Sequence, residues 1–302
     1  MTLSHWSDAD ARDRYERAYE KSMELWPIPY ESKFVKTPFG PTHVVESGAP
    51  GGDPVVLIHA ASLSATQWYL QASHLGVSHR LYAIDIMGDI GLSIQTRPIR
   101  TRRDAAVWLA AVLDALELER PALIGSSFGG FHATNLSVYH PERVRALVLL
   151  APAATIKAFR FLASVAIRAG SLVPIPATVR PGLRGMMQGE LPDEHLVQQM
   201  EIGVAGFCYD AEGIFPSEIS DAELSSIRCP VLVLLGDKEM IYSSVAASGR
   251  VRRLMPNAVV QVIPNVGHLL GVQRPAVVNP RVVGFLAQVR REGPADQELL
   301  AG

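Results

Sequence analysis

Cysteine is scarce in this chain of 302 residues, which contains two, Cys208 and Cys229. Two thiols this far apart cannot form the disulfide framework of a small secreted domain or the ligand cluster of a structural zinc site. We therefore expect both cysteines to be reduced, buried and inert. Neither a metal site nor a cofactor is predicted.

An excess of charge of either sign is also absent. The chain has 28 Lys and Arg against 30 Asp and Glu, so its net charge of −2 does not favour nucleic acid or an anionic surface as a partner. No stretch reaches the roughly 18 unbroken apolar residues that a membrane helix needs. Residues 1–26 are charged rather than apolar, which does not fit a secretory signal. We expect a cytoplasmic protein without membrane contact.

Hydrophobic residues are abundant, at 48% of the chain. Segments with a strand pattern alternate along the chain with segments that have a helix pattern. Strands are predicted at 31–37, 42–47, 54–59, 81–86, 121–126, 145–151, 230–236 and 258–263. Helical patterns occupy 64–75, 102–117, 129–139, 243–254 and 275–291. Because parallel strands need crossover connections, this order predicts an α/β fold with a mostly parallel eight-stranded sheet and helices on both faces. The first two strands form a hairpin at the edge.

The segment Leu123–Gly130 joins an apolar strand to a helical pattern through the motif G-x-S-x-G. In this context the motif predicts a nucleophile elbow, a tight strand-to-helix turn that presents the hydroxyl of Ser127. Gly125 and Gly129 lie where a Cβ would collide as strand and helix cross. The helix start directs free backbone N–H groups toward the place where an oxyanion would form. A glycine-rich loop is the alternative, and the strand–turn–helix context argues against it.

A serine nucleophile needs a base and a group that orients the base, which follow here in the order serine, acid, histidine. The predicted strand 230–236 ends in two acids, Asp237 and Glu239. The strand 258–263 leads into a loop that contains His268, which can reach Ser127. The pattern predicts a catalytic triad and leaves two candidates for its acid.

Five short sequence segments are spread over the predicted core: SATQWY, AIDIMGDIGLS, GSSFGGFH, GDKEMIY and PNVGHL. Together they resemble bacterial carboxylesterases of the α/β-hydrolase fold. In that family the acid usually lies three residues after the glycine that ends the strand, which implies Glu239 and leaves Asp237 to cap a turn. The resemblance therefore implies the triad Ser127, Glu239 and His268, with no cofactor.

The loop after the strand 54–59 begins with His59 and Ala60. The resemblance implies that this loop supplies half of an oxyanion hole, and we expect the backbone N–H groups of Ala61 and Phe128 to be the donors. Ala60 stands where the family usually has glycine, and an alanine is strained at a positive φ angle. We therefore expect a slightly different path for this loop.

Residues 153–228 interrupt the alternation between the sixth and seventh predicted strands and contain no convincing strand. The chain thus divides into a core, 1–152 and 229–302, and an inserted helical segment, which the resemblance implies is a lid. Its first part predicts an amphipathic helix with Ile156 and Leu162 on the apolar face. The residues expected to line the substrate pocket are Ala60, Ser62, His132, Met186, Met200 and Phe207. A packed structural role is the alternative for His132.

A second amphipathic pattern lies in the charged N-terminal run. Tyr15, Tyr19, Met23 and Trp26 recur at three- and four-residue spacings, with acidic and basic residues between them. The pattern predicts a helix that packs on the outside of the core. A gate over the pocket is the alternative.

The combined pattern predicts a serine hydrolase that cleaves a carboxylic ester, lactone or thioester of a small, largely apolar substrate through an acyl-enzyme on Ser127. A C–C bond hydrolase of the meta-cleavage-product type would use the same triad and is one alternative. The other is a catalytically silent binding protein, or an acyl-transfer or cyclisation protein of a biosynthetic pathway. The expected partner is a small-molecule acyl substrate, and the expected state is a monomer or homodimer.

Overall fold

The computed structural model describes residues 3–173 and 175–292. Within these residues the strands form one eight-stranded and one two-stranded sheet. The strands are β1 (His5–Trp6), β2 (Tyr30–Thr37), β3 (Gly40–Gly48), β4 (Asp53–Ile58), β5 (His79–Ile84), β6 (Ala122–Ser126), β7 (Ala146–Leu150), β8 (Phe207–Cys208), β9 (Val231–Gly236) and β10 (Ala258–Ile263). The large sheet has the order β10-β9-β7-β6-β4-β5-β3-β2.

The large sheet is mostly parallel, as the sequence predicts. The strands from β10 to β5 in this order run parallel, and β3 and β2 complete the sheet with antiparallel pairs at one edge. All eight strands predicted for this sheet are present with closely similar bounds. The central strands β6, β7 and β9 are buried along their whole length, because both faces of the sheet are covered.

Helices cover both faces of the large sheet. Their bounds are α1 (Ala9–Met23), α2 (Tyr69–Leu75), α3 (Arg102–Ala115), α4 (Phe128–Tyr139), α5 (Phe161–Leu172), α6 (Val179–Met186), α7 (Glu194–Gly206), α8 (Asp221–Ser226), α9 (Ser244–Leu254), α10 (Leu270–Gln273) and α11 (Pro275–Glu292). Short 3-10 helices lie at Ala65–Trp68, Pro141–Arg143 and Pro176–Thr178. Among the described residues, none of the helices is both long enough and apolar enough to cross a bilayer.

The hydrophobic core has two layers, one on each face of the sheet. In β4, Val56 and Ile58 face the layer that contains α3, α4 and α9, whereas Val55 and Leu57 face the layer that contains α2 and α11. This division follows from the alternation of side chains along a strand. Trp108 on α3 and Trp68 before α2 are fully buried, one in each layer, as large core residues.

The inserted segment between β7 and β9 contains α5 to α8, and two predictions about it are wrong. Its first helix begins at Phe161, because Arg160 is extended and donates its N–H to the Ile241 carbonyl at 2.7 Å. Ile156 is therefore buried before the helix, and Leu162 is 79% exposed. The segment also contains a strand, β8, which pairs antiparallel with β1. Two residues are too few to produce a strand pattern in the sequence.

The N-terminal helix α1 is present and amphipathic, with Tyr15, Tyr19 and Met23 buried. It lies along α7 of the inserted segment. Tyr15 Oη accepts a hydrogen bond from Gln199 Nε2 on α7 at 2.9 Å. The helix thus packs on the outside of the molecule and also supports the inserted segment.

The two cysteines differ in exposure. Cys229 is buried, and burial raises the pKa of its thiol to about 12. Cys208 is exposed, so the expectation that both are buried is wrong for this residue. The reason is the alternation along β8, where Phe207 takes the buried side.

The burial pattern makes a stability prediction. Leu234→Ala removes a fully buried side chain from β9, and we expect unfolding to become easier by about 2–5 kcal/mol because a cavity remains. Leu162→Ala on α5 is the matched control, with an expected change within about 0.5 kcal/mol because the side chain is exposed. Chemical denaturation of both variants measures the difference. Equal losses in the two variants would contradict the burial assigned here.

Candidate active site

Ser127 occupies the turn between β6 and α4, where its backbone has φ 50° and ψ −111°. These angles are strained for a residue with a side chain and cost roughly 1–3 kcal/mol, so neighbouring contacts must hold the turn. The Ser127 N–H donates to the Leu150 carbonyl of β7 at 2.9 Å. A Cβ on Gly125 would lie 2.4 Å from the Gly129 carbonyl oxygen, and one on Gly129 would lie 2.0 Å from that of Ile58. The two glycines therefore permit the close crossing of strand and helix.

His268 lies in the loop after β10, with its Nε2 2.7 Å from Ser127 Oγ. Its side chain is 3% exposed. The backbone N–H of His268 donates to the carbonyl of Met186, the last residue of α6, at 2.8 Å. A Cβ on Gly267 would lie 2.0 Å from the same oxygen. The inserted segment therefore helps to hold the histidine loop, a contact that the sequence does not reveal.

Glu239 is the acid that contacts the histidine, with its Oε2 2.6 Å from His268 Nδ1. Asp237 lies elsewhere, and its Oδ1 accepts a hydrogen bond from the Val266 N–H at 3.2 Å. This is a turn-capping contact, the role that the resemblance implied for Asp237. The structure thus brings Ser127, His268 and Glu239 into one continuous chain of hydrogen bonds.

Tyr242 lies beside this chain of hydrogen bonds, and no motif in the sequence indicates it. Its side chain is 1% exposed, and its ring meets the His268 imidazole edge-on with 6.4 Å between centroids. Burial and the nearby Glu239 carboxylate raise the pKa of Tyr242 well above its usual value, so the phenol stays protonated. Glu239 Oε1 accepts a further hydrogen bond from the Ile241 N–H at 3.0 Å. An aromatic residue three positions after Glu239 carries no recognisable signal in a single sequence.

Ala60 and Ala61 lie in the loop after β4. The Ala60 N–H donates to Gln67 Oε1 at 2.8 Å, and the residue with a positive φ in this loop is Ser62, at 60°. Ala60 itself does not have a positive φ, so alanine is not strained at this position. In the described part of the chain, neither the Ala61 N–H nor the Phe128 N–H donates to a protein acceptor. Both residues line the cavity that contains the serine.

His59 orients this loop. Its Nε2 accepts a hydrogen bond from the Ile86 N–H at 2.9 Å, so the ring proton is assigned to Nδ1, which donates to the Ala60 carbonyl at 2.8 Å. The Leu63 N–H donates to the same oxygen at 3.1 Å. Because the C=O and N–H of one trans peptide point in opposite directions, these two donors fix the direction of the Ala61 N–H.

A cavity of about 380 Å³ opens at Ser127. Four of the predicted pocket residues, Ala60, Ser62, Met186 and Met200, lie on its wall. Most of the remaining wall is apolar and comes from both the core and the inserted segment. Examples are Leu63, Ile99, Phe159, Val179, Leu183 and Phe215.

Two predicted pocket residues do not line this cavity. His132 is fully buried beneath Phe128 and beside Trp108, with ring centroids 4.5 and 5.5 Å away. Burial and the neighbouring His59 lower the pKa of His132 to about 3, so it is a neutral packing residue. Phe207 packs in the two-stranded sheet because its side of β8 faces Trp6. The position of each residue on its helix or strand directs the ring away from the cavity. The sequence alone does not show how α4 and β8 are oriented relative to the cavity.

The comparisons with known proteins agree with this architecture. The sequence pattern of the Alpha/beta hydrolase family matches residues 55–281. The "Uncharacterized carboxylesterase nap" of Bacillus subtilis (strain 168) is 35% identical over 283 residues, 90% of this chain and 92% of that protein. Carboxylesterase YbfK of the same organism is 35% identical over 287 residues, 90% of this chain and 93% of that protein.

Similarity in three dimensions points the same way. The crystal structure of naproxen esterase (carboxylesterase NP) from Bacillus subtilis matches with a TM-score of 0.86 and 37% identity, over 92% of this chain and 99% of that chain. The match extends across both the core and the inserted segment, since so little of either chain lies outside it. On the extent of the sequence pattern and the identity to these relatives, the chain belongs to the alpha/beta hydrolase family.

Proposed function

We propose that the protein is a serine esterase that cleaves small, largely apolar carboxylic esters, with lactones and thioesters as related substrates. The observation that carries this proposal is the chain of hydrogen bonds Ser127–His268–Glu239, which meets a mostly apolar cavity at the serine. The two carboxylesterase relatives support the same reaction class. The acylation and deacylation steps of this reaction require neither a metal ion nor an organic cofactor.

In the acylation step, Ser127 Oγ attacks the carbonyl carbon of the ester while His268 Nε2 takes the hydroxyl proton. Glu239 accepts the Nδ1–H, holds the imidazole in the required tautomer and stabilises the imidazolium. The N–H groups of Ala61 and Phe128 stabilise the charge that develops on the carbonyl oxygen, a contribution of about 10²–10³ in turnover for each donor. His268 then protonates the leaving alkoxide, which departs as the alcohol.

In the deacylation step, water attacks the acyl-enzyme and His268 takes one of its protons. The tetrahedral intermediate uses the same oxyanion donors. Its collapse releases the carboxylic acid, and the proton returns from His268 to Ser127 Oγ. Low exposure of the site, 7% for Ser127 and 2% for His268, strengthens each of these electrostatic interactions.

We assign the role of a lid to residues 153–228, on a core formed by 1–152 and 229–302. The support is that Val179, Leu183 and Met200 of this segment form part of the cavity wall above the serine. An apolar roof excludes water and binds the nonpolar parts of an ester.

The charge on the cavity wall favours uncharged acyl and alcohol groups. Two aspartates, Asp89 and Asp210, are among the lining residues, and Arg168 is the one Lys or Arg among those described. The Arg168 guanidinium is already stacked on the Phe215 ring, 4.7 Å from its centroid. A C–C bond hydrolase on this fold would instead convert ring-fission products and ignore simple aryl esters, so a panel of both substrate classes separates the two activities.

Ser127→Ala tests the nucleophile. We expect kcat for p-nitrophenyl butyrate to fall about 10⁶-fold, because no covalent intermediate can form. The free energy of unfolding should change by about 1 kcal/mol or less, since one hydrogen bond is lost. Steady-state kinetics and chemical denaturation measure the two effects. Ser126→Ala, at the neighbouring buried serine, is the control and should keep most of the activity; wild-type turnover by Ser127→Ala would refute the assignment.

The two acids after β9 can be separated in the same way. Glu239→Gln should lower kcat by about 10⁴-fold, because the amide no longer stabilises the imidazolium or holds its tautomer. Asp237→Asn should change kcat only slightly, since this residue accepts one hydrogen bond from the Val266 backbone. Kinetics of both variants with one aryl ester provide the comparison. A larger loss in Asp237→Asn would move the catalytic acid to Asp237.

A further inference from the structure

A closed ring of hydrogen bonds joins Ser62 of the oxyanion loop, through its backbone N–H and its hydroxyl, to the side chains of Asp89 and Tyr209. Both carboxylate oxygens of Asp89 are 3.1 Å from the Ser62 backbone nitrogen, whose N–H they accept. Tyr209 Oη donates to Asp89 Oδ1 at 2.9 Å. Ser62 Oγ and Tyr209 Oη lie 2.9 Å apart and complete the ring. We call these three residues the loop latch.

The three members come from three separate parts of the fold. Ser62 lies in the loop after β4, and Asp89 lies in the loop after β5. Tyr209 directly follows β8 in the inserted segment, and its ring packs edge-on against Phe207 at 5.1 Å. Because β8 is paired with β1, Tyr209 is held from outside the large sheet. The latch therefore joins the inserted segment to the loop that carries Ala61.

The loop needs this restraint because its geometry is strained. Ser62 has φ 60°, an angle that costs energy for a residue with a side chain. Two donors to the Ala60 carbonyl fix one side of the Ala61 residue, and the Asp89 carboxylate holds the Ser62 N–H on the other side. Asp89 is 2% exposed; burial raises the pKa of its carboxyl, and the hydrogen bonds that it accepts from Ile90, Tyr209 and Ser62 act against that rise. The Ala61 backbone is thus restrained on both sides.

We propose that Ser62, Asp89 and Tyr209 are positioning residues that hold the Ala61 N–H in the oxyanion hole and make its placement depend on the seating of the inserted segment. This inference rests on the proposed esterase function. All three residues also line the cavity, and kinetics separate the two roles: loss of the donor geometry lowers kcat, whereas loss of a substrate contact raises KM.

Tyr209→Phe is the decisive variant, because it keeps the ring and removes only the hydroxyl. We expect kcat for p-nitrophenyl butyrate to fall about 10-fold with KM little changed, a smaller loss than the roughly 10²–10³-fold effect of removing an entire oxyanion donor. Asp89→Asn, which preserves shape, should act in the same direction. The double variant should lose less than the product of the two single losses, since both act through one loop.

Tyr82→Phe is the control, because Tyr82 is a partly buried tyrosine on β5 that does not line the cavity. Thermal melting of each variant checks that it is folded. If Asp89→Asn does not fold, Tyr209→Phe alone tests the inference. Unchanged kcat in folded Tyr209→Phe overturns the inference, and so does a rise in KM alone, which would indicate substrate contact. A wild-type protein without esterase activity would overturn the proposed function itself, and this inference with it.

Discussion

The close crossing of β4, β6 and α4 decides where the other parts of the site can lie. Gly129 sits so near the carbonyl oxygen of Ile58 that no side chain fits between them. Ile58 ends β4 and leads directly into the loop that carries Ala61. The same crossing therefore sets the serine turn and the oxyanion loop side by side. A wider crossing would separate Ser127 from one of the two oxyanion donors that we propose for it, and such donors must be placed to within about 0.5 Å.

The inserted segment supplies contacts to the residues of the site. Its Met186 carbonyl holds the His268 backbone, and its Tyr209 hydroxyl contacts both Ser62 and Asp89. Gln199 on α7 adds a link, since its Nε2 donates to Ser64 Oγ at 2.9 Å. The His268 backbone and the loop that carries Ala61 therefore both make hydrogen bonds to residues outside the core. Under the proposed function, we expect variation in this segment to change the reaction rate as well as the choice of substrate.

Local pattern was sufficient to predict the sheet and the serine turn. Buried parallel strands are short continuous apolar runs, and the glycine spacing around Ser127 marks the crossing of strand and helix. The choice of Glu239 over Asp237 needed the family resemblance, because both acids follow the same strand. The structure distinguishes them by direction, with Asp237 turned toward the Val266 backbone.

Features that depend on distant parts of the chain were not predictable. The two-residue strand β8 exists because β1, near the other end of the chain, lies beside it. Phe207 was expected at the pocket and instead packs against Trp6. The prediction of the apolar face of α5 was wrong because the Ile241 carbonyl holds Arg160 in an extended conformation, which shifts the start of the helix. In each case a long-range contact overrides the local pattern.

We propose that Ser127, His268, Glu239 and the oxyanion donors form a working acyl-transfer site. Intact-protein mass spectrometry after incubation with a fluorophosphonate tests it most directly, because this probe reacts with an activated serine. We predict a single adduct on the wild-type protein and none on Ser127→Ala. Absence of an adduct on the folded wild-type protein, or an adduct that persists in Ser127→Ala, would contradict it.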